Sequence, residues 1–188
     1  MENGCVVLLA GYRQHGKDTF FRHIAGQEDT YTYATRTSDG APFVFPSLNY
    51  VRVGFADVLK RECADILGTT ADEVERTKDE PLTVSYSFKC TLPSNDPPTV
   101  RDMLIDHAAY CRALDPDHYA RRVCDALSDE HVTVITDFRY PNEYDYALST
   151  GRRVFTARLR REGASVPPMS VRSEHQLDNF YFQIHIDC

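Results

Sequence analysis

Long apolar runs are missing from this sequence. The longest near the start, Cys5–Ala10 (CVVLLA), is far shorter than the roughly 20 residues that a membrane-spanning helix needs. No basic stretch precedes it, so no signal peptide is expected. An excess of positive charge is missing too: 21 Lys and Arg stand against 28 Asp and Glu, a net charge of −7. That balance excludes a general nucleic-acid binder, which carries a basic face, but it leaves open small anionic ligands gripped by local groups. Lysine is scarce, with four against 17 arginines and none after Lys89. Arginine presents a planar fork that matches phosphate oxygens, and genomic base composition is the competing reading of the bias. The six cysteines (Cys5, Cys63, Cys90, Cys111, Cys124, Cys188) include no C-x-x-C pair, and no Cys/His group has zinc-ligand spacing. They read as reduced thiols of a cytosolic protein, and no zinc is assigned. Internal repeats and low-complexity tracts are absent as well.

What is present is an alternation of strands and helices over 188 residues, a length suited to one domain. Cys5–Ala10 reads as a strand buried on both faces. A loop over 11–16 and a helix over 17–25 follow. Residues 28–49, rich in Thr, Tyr, Gly and Pro, read as an irregular hairpin or surface excursion. Strands are expected at 50–55 (YVRVGF), 132–136 (VTVIT), 152–159 (RRVFTARL) and 182–186 (FQIHI). Helices are expected at 56–67, stopped by Gly68, at 70–76 capped by Thr70, at 99–114 capped by Thr99, at 115–127 opened by Asp115-Pro116, and at 142–149. Residues 78–98 read as a loop, and 160–177, with Pro167-Pro168, as a loop or lid. The pattern predicts a three-layer α/β/α fold around a mostly parallel sheet of five strands.

The chemistry-bearing motif is Gly11-Tyr12-Arg13-Gln14-His15-Gly16-Lys17-Asp18-Thr19, that is, G-x-x-x-x-G-K followed by Asp-Thr. A loop of this kind turns backbone N–H groups inward around a phosphate, and the positive end of the following helix adds to the anion site. Its place after a buried strand and before a helix is the context a phosphate loop requires. Lys17 is expected to reach the β- and γ-phosphates of a nucleotide. His15 reads as a loop position with an incidental side chain. The usual Ser/Thr after the lysine is Asp18, which either serves Mg²⁺, through water, or complements the helix dipole. Thr19 supplies a hydroxyl one place later.

Further motifs follow in order: Phe55-Ala56-Asp57-Val58-Leu59-Lys60, Thr99-Val100-Arg101-Asp102-Met103-Leu104, Asp137-Phe138-Arg139-Tyr140-Pro141-Asn142-Glu143, and Ser173-Glu174 before Asn179. With Gly16-Lys17-Asp18-Thr19, the ordered set resembles the deoxynucleoside monophosphate kinases of the phage and large-virus type, over nearly the whole chain. The segments 28–49 and 78–98 lie outside the likeness. The animal-type phosphomevalonate kinases share the Gly-Lys-Asp loop, and the stretch from Ser173-Glu174 to Leu177-Asp178-Asn179-Phe180 is similar to theirs. The Arg139-x-Pro141-Asn142-Glu143 stretch ranks the nucleotide kinases first.

The resemblance implies a single kinase domain over 1–188, with acceptor binding in about 56–128 and a lid in about 160–177. It implies ATP and Mg²⁺ as cofactors, small-molecule nucleotides as partners, no membrane or nucleic-acid polymer, and a cytoplasmic setting (host cytoplasm if viral). A homodimer is compatible with it. Lys17, Asp137, Arg139 and Arg161 are the expected catalytic set. Asp137 ends a strand at its carboxyl edge, where ligands gather in open α/β sheets, and would hold metal-bound water with Asp18 as partner. Arg139 would bridge donor and acceptor phosphates, or pair with Glu143 four residues on. Asp57, Lys60, Glu143 and Glu174 fall on motifs tied to acceptor recognition. For Lys60 a solvated helix face is the rival, and Glu174 either orients an arginine or meets the acceptor sugar. Arg101 and Arg112, eleven residues apart, fall on one helix face and would hold the acceptor phosphate, unless they are simply exposed. Tyr110 would stack on a base or pack in the core. Arg158 and Arg160 suit a strand edge, whereas Arg161 suits a lid that excludes water. A phosphomevalonate-type kinase and a non-catalytic nucleotide-binding module are the alternative functions.

Overall fold

A computed structural model describes residues 4–26, 33–43, 49–83, 97–169 and 171–187. The expectations for Cys90, Cys188 and residues 28–32, 44–48 and 84–96 lie outside the described residues. The strands are β1 (Cys5–Ala10), β2 (Tyr33–Arg36), β3 (Tyr50–Val53), β4 (Val132–Ile135), β5 (Arg153–Arg160) and β6 (Ile184–Asp187). The helices are α1 (Lys17–Ile24), α2 (Phe55–Leu67), α3 (Ala71–Arg76), α4 (Val100–Leu114), α5 (His118–Cys124), α6 (Pro141–Ser149) and α7 (Arg172–His175). The strands form one sheet in the order β2-β6-β5-β1-β4-β3, parallel throughout except for β2, which runs antiparallel to β6. The chain is therefore α/β with a mostly parallel sheet, an arrangement compatible with three layers.

The sheet has six strands, not the five expected. The extra one, β2, comes from the segment read as an irregular hairpin. A hairpin is there: Arg36 donates to the Ala41 carbonyl at 2.9 Å and Phe43 to the Ala34 carbonyl at 2.7 Å, around a turn with Gly40 at φ 66°. Its first arm also pairs with β6, Ala34 opposite Ile186. A four-residue strand of mixed composition draws its stability from that long-range pairing, which local pattern does not reveal.

The interior strand β1 explains the core. It pairs with β4 (Leu8 opposite Ile135) and with β5 (Leu9 opposite Ala157). Val6 and Leu8 on one face and Val7 and Leu9 on the other are all buried. That is why its sequence is an unbroken apolar run rather than an alternating one. Phe20 and Phe21 of α1 join Val7, Leu9, Leu159, Ile184 and Ile186 in one cluster. The buried Thr156 is paired with Gln183: Gln183 Oε1 accepts from the Thr156 N–H at 2.9 Å, and Thr156 Oγ1 accepts from the Gln183 N–H at 3.2 Å.

The chain divides into two compact units, one of residues 1–54 and 123–188 and one of 55–122. The first contains the whole sheet with α1, α6 and α7. The second is helical, with Ala64, Val74 and Val100 as its buried centre. Its caps are those the sequence signals. Thr70 accepts the Glu73 N–H, and Thr99 and Asp102 form a reciprocal capping box on α4. The helix expected over 115–127 is shorter at both ends. At its start, Asp115 Oδ1 accepts the Asp117 N–H in a turn that contains Pro116. Past its end, Arg152 caps the carbonyls of Cys124 and Leu127 at 3.1 and 2.8 Å. The segment 160–177 is not all loop, since β5 runs to Arg160 and α7 lies within it. No helix among the described residues is long and apolar enough to cross a membrane.

Leu9 is 0% exposed at the centre of the sheet. Replacing it by alanine removes buried methyl groups and leaves a cavity, so Leu9→Ala is expected to cost about 2–5 kcal/mol, read by urea denaturation.

Candidate functional site

The loop after β1 has a backbone that side chains would obstruct. Gly11 has φ 152°, and a Cβ placed there would lie 2.7 Å from the Leu159 carbonyl oxygen, so the close passage of the loop over β5 requires glycine. Gly16, at φ 89°, is the residue that starts α1, and no side chain caps that helix end. The first-turn N–H groups of α1 therefore form a positive, uncapped terminus beside the loop. Gln14 adopts φ 66° without being glycine. His15 is 4% exposed, has no hydrogen-bond partner on either ring nitrogen, and meets the Tyr12 ring edge-on at 5.4 Å.

Lys17 folds back over this loop. Its Nζ donates to the carbonyls of Gly11 at 2.6 Å and Tyr12 at 3.0 Å. Its pKa lies below the ordinary lysine value, first because burial penalises the ammonium and second because Arg139 is near. Glu174, Asp18 and Asp137 act in the opposite direction. The structure thus brings Lys17, Asp18, Asp137, Arg139 and Glu174 into one electrostatic neighbourhood. It lies at the carboxyl ends of the adjacent parallel strands β1 and β4, which Gly11 and Asp137 follow closely.

Within it, Glu174 holds two groups: one oxygen pairs with the Arg139 guanidinium, and the other accepts the Arg13 backbone N–H at 3.2 Å. Of the two roles weighed for Glu174, orienting an arginine is the one its contacts display. The pairing of Arg139 with Glu143 takes a different form from the expected one. Glu143 is 3% exposed and accepts the backbone N–H groups of Arg139 at 2.9 Å and Tyr140 at 3.0 Å, so it fastens the turn into α6 and leaves the guanidinium to Glu174. Asp18 is largely exposed and paired with Arg52 at 3.1 Å. As hard oxygen donors Asp18 and Asp137 are of the right chemistry for Mg²⁺, and both act on Lys17; Arg52 engages one oxygen of Asp18. Thr19, on the same first turn, is half-buried.

A second tie escaped sequence reasoning. Asp178 accepts from the Tyr12 hydroxyl at 2.7 Å and from Arg158 at 3.0 Å, and its other oxygen lies 2.7 Å from His175 Nδ1. Arg158 also donates to the Leu177 carbonyl and lies over the Tyr12 and Phe182 rings. Arg158 is thus a partly buried brace between β5, the loop and the 172–178 segment. The available signal was the His175/Asp178 spacing of three, one helical turn. Arg161 stands exposed just past β5 and makes none of these contacts.

The acceptor-side candidates belong to the helical unit. Lys60 lies 3.1 Å from Glu75 and 3.8 Å from Asp57. Arg101 pairs with Asp79 at 2.7 Å, which holds its pKa above the ordinary value. Arg112 lies over the Tyr119 ring at 4.8 Å. Tyr110 is 43% exposed, so it does not pack in the core.

No protein-family model matches the chain, and no curated protein is significantly similar to it.

Donation from His175 to the Asp178 carboxylate raises the His175 pKa, and although burial opposes it, the hydrogen bonds that Asp178 accepts from His175, Tyr12 and Arg158 lower its own. A raised imidazole stabilises below its ordinary 6.5 and loses that contribution as pH rises through its folded value. A depressed carboxyl stabilises above its ordinary 3.8 and loses that contribution as pH falls through its folded value. The tie is therefore complete between those two ordinary values. Asp178→Asn is expected to return the His175 titration midpoint, followed by NMR, to the ordinary histidine value; an unmoved midpoint would show that Asp178 does not hold the imidazolium.

Proposed function

We propose that the chain is an ATP- and Mg²⁺-dependent kinase that phosphorylates deoxynucleoside monophosphates: ATP + dNMP → ADP + dNDP. The observation that carries the reading is the desolvated Lys17 on a glycine-bounded loop beside an uncapped helix terminus. A half-buried ammonium held by two loop carbonyls is a charge placed for an anion, because its reduced hydration makes an incoming phosphate a strong partner. The loop would then be a phosphate loop, and the fold that of a P-loop kinase.

In this reading Lys17 exchanges its carbonyl contacts for phosphate oxygens, and the loop and first-turn N–H groups hold the same phosphates. When bound, Mg²⁺ cancels charge on the phosphate oxygens. Asp137, two residues past β4, and Asp18 are its donors. Arg139, oriented by Glu174, supplies a fixed guanidinium for the charge that builds on the transferred phosphoryl group. The Glu174 carboxylate takes one loop N–H and one guanidinium, the two kinds of donor a phosphate oxygen would use. Arg161 would join them on a lid. Acceptor binding is assigned to the helical unit, through Asp57, Lys60, Arg101, Tyr110 and Arg112, and its dNMP identity rests on the ordered motifs of the sequence.

The test is ADP release with Mg²⁺ over the four dNMPs, their ribonucleotides and phosphomevalonate. Turnover with one or more dNMPs is expected, lost in Lys17→Met and reduced about a hundredfold or more in Arg139→Ala. Turnover of phosphomevalonate alone would move the acceptor to the other kinase class. Tight ATP binding with every acceptor inert would make the chain a binding module.

A further inference from the structure

The helical unit contains a group of side chains that the kinase reading does not use. Glu62 projects from α2, and His107 and Cys111 lie one turn apart on α4. His107 Nε2 is 3.1 Å from Glu62 Oε2, and Cys111 Sγ is 3.6 Å from the same nitrogen. One donor atom from each of the three lies within 4.8 Å of the other two. His107 and Cys111 are buried, and the Glu62 side chain is nearly so. The other Glu62 oxygen is held by His118 Nε2 at 2.8 Å and by Arg122 at 2.6 Å.

The two separations from His107 Nε2 are close to those of ligands around one small ion. With zinc bonds of about 2.0–2.1 Å to nitrogen or oxygen and about 2.3 Å to sulfur, tetrahedral angles put nitrogen about 3.6 Å from sulfur and about 3.3 Å from oxygen. Imidazole, thiolate and carboxylate together suit a borderline ion rather than Mg²⁺ or Ca²⁺, which prefer oxygen alone. A glutamate and a thiolate offset the two charges of a divalent cation, and the further positive charge of Arg122 on the second Glu62 oxygen is on a side chain that reaches solvent.

We propose that Glu62, His107 and Cys111 form a zinc site that clamps α2 to α4. His118 and Arg122 are positioning residues, which fix the carboxylate through its second oxygen as outer partners do in metal sites. On binding, the Cys111 thiol loses its proton to solvent, the Glu62–His107 hydrogen bond is replaced by two metal bonds, and His107 carries its ring proton on Nδ1. The fourth position is left to water. The proposal is independent of the kinase reading, because it concerns helix packing within 55–122.

The test adds Zn²⁺, and separately Co²⁺, to the purified full chain. One ion per chain is expected, with a thiolate-to-cobalt charge-transfer band and the intense d–d absorption of a tetrahedral site. Cys111→Ser and His107→Gln are each expected to abolish stoichiometric binding, with the fold checked by circular dichroism, whereas Cys5→Ser leaves it unchanged. His118→Gln should weaken zinc about 10–100-fold and keep the charge-transfer band. A wild-type chain that takes up no stoichiometric zinc, or whose cobalt form lacks the thiolate band, overturns the proposal without any variant. Full retention of binding in a folded Cys111→Ser protein overturns it too.

Discussion

The candidate site depends on how β1, a strand buried on both faces, leaves its sheet. At Gly11 the chain passes so close to the Leu159 carbonyl that only a hydrogen fits in place of a side chain. That passage lets the loop lie across the end of β5 and aims its carbonyls at Lys17. The ammonium that lies over this loop is itself partly withdrawn from water. A lysine in that position is costly without a partner, and the loop carbonyls are partners that an anion can replace.

The loop is secured by carboxylates from far along the chain. Glu174 takes the Arg13 N–H and the Arg139 guanidinium, and Asp178 takes Tyr12, Arg158 and His175. Both acids come from one short segment that includes α7. Arginine dominates this network for a physical reason: a planar fork engages a carboxylate, a carbonyl and an aromatic face at once, as Arg158 does, where an ammonium is a point charge. The arginine bias of the composition thus has at least two structural uses, Arg139 and Arg158. Neither is a general basic surface, which agrees with the net charge of −7.

Much of the architecture is legible in the sequence, because strands, helices and caps leave local signals. The apolar run of β1, the Gly68 stop after α2 and the Thr70 and Thr99 caps all stand where the pattern puts them. β2 is not legible, since its stability comes from β6 about 150 residues away. Nor is the end of α5, where an arginine of a distant segment takes the last carbonyls. At the site, the loop and Lys17 can be read from spacing, whereas the contacts of Asp178 with Tyr12 and Arg158 cannot. The Arg139–Glu143 step of four reads as an ion pair, yet the helix start claims the carboxylate for backbone N–H groups.

The sequence by itself determines the alternation of strands and helices, the place of the glycine loop and the chemistry of its lysine. These depend on side-chain periodicity and backbone freedom over fewer than ten residues. Only the tertiary structure decides which acid meets which base. Glu174 could have faced many arginines, and the fold selects Arg139 by bringing the ends of β1 and β4 and the α7 segment together. In the same way Glu62 meets His107 across 45 residues of chain. Charge pairing acts through space over a few ångströms, and a linear chain of 188 residues does not contain those distances until it is folded.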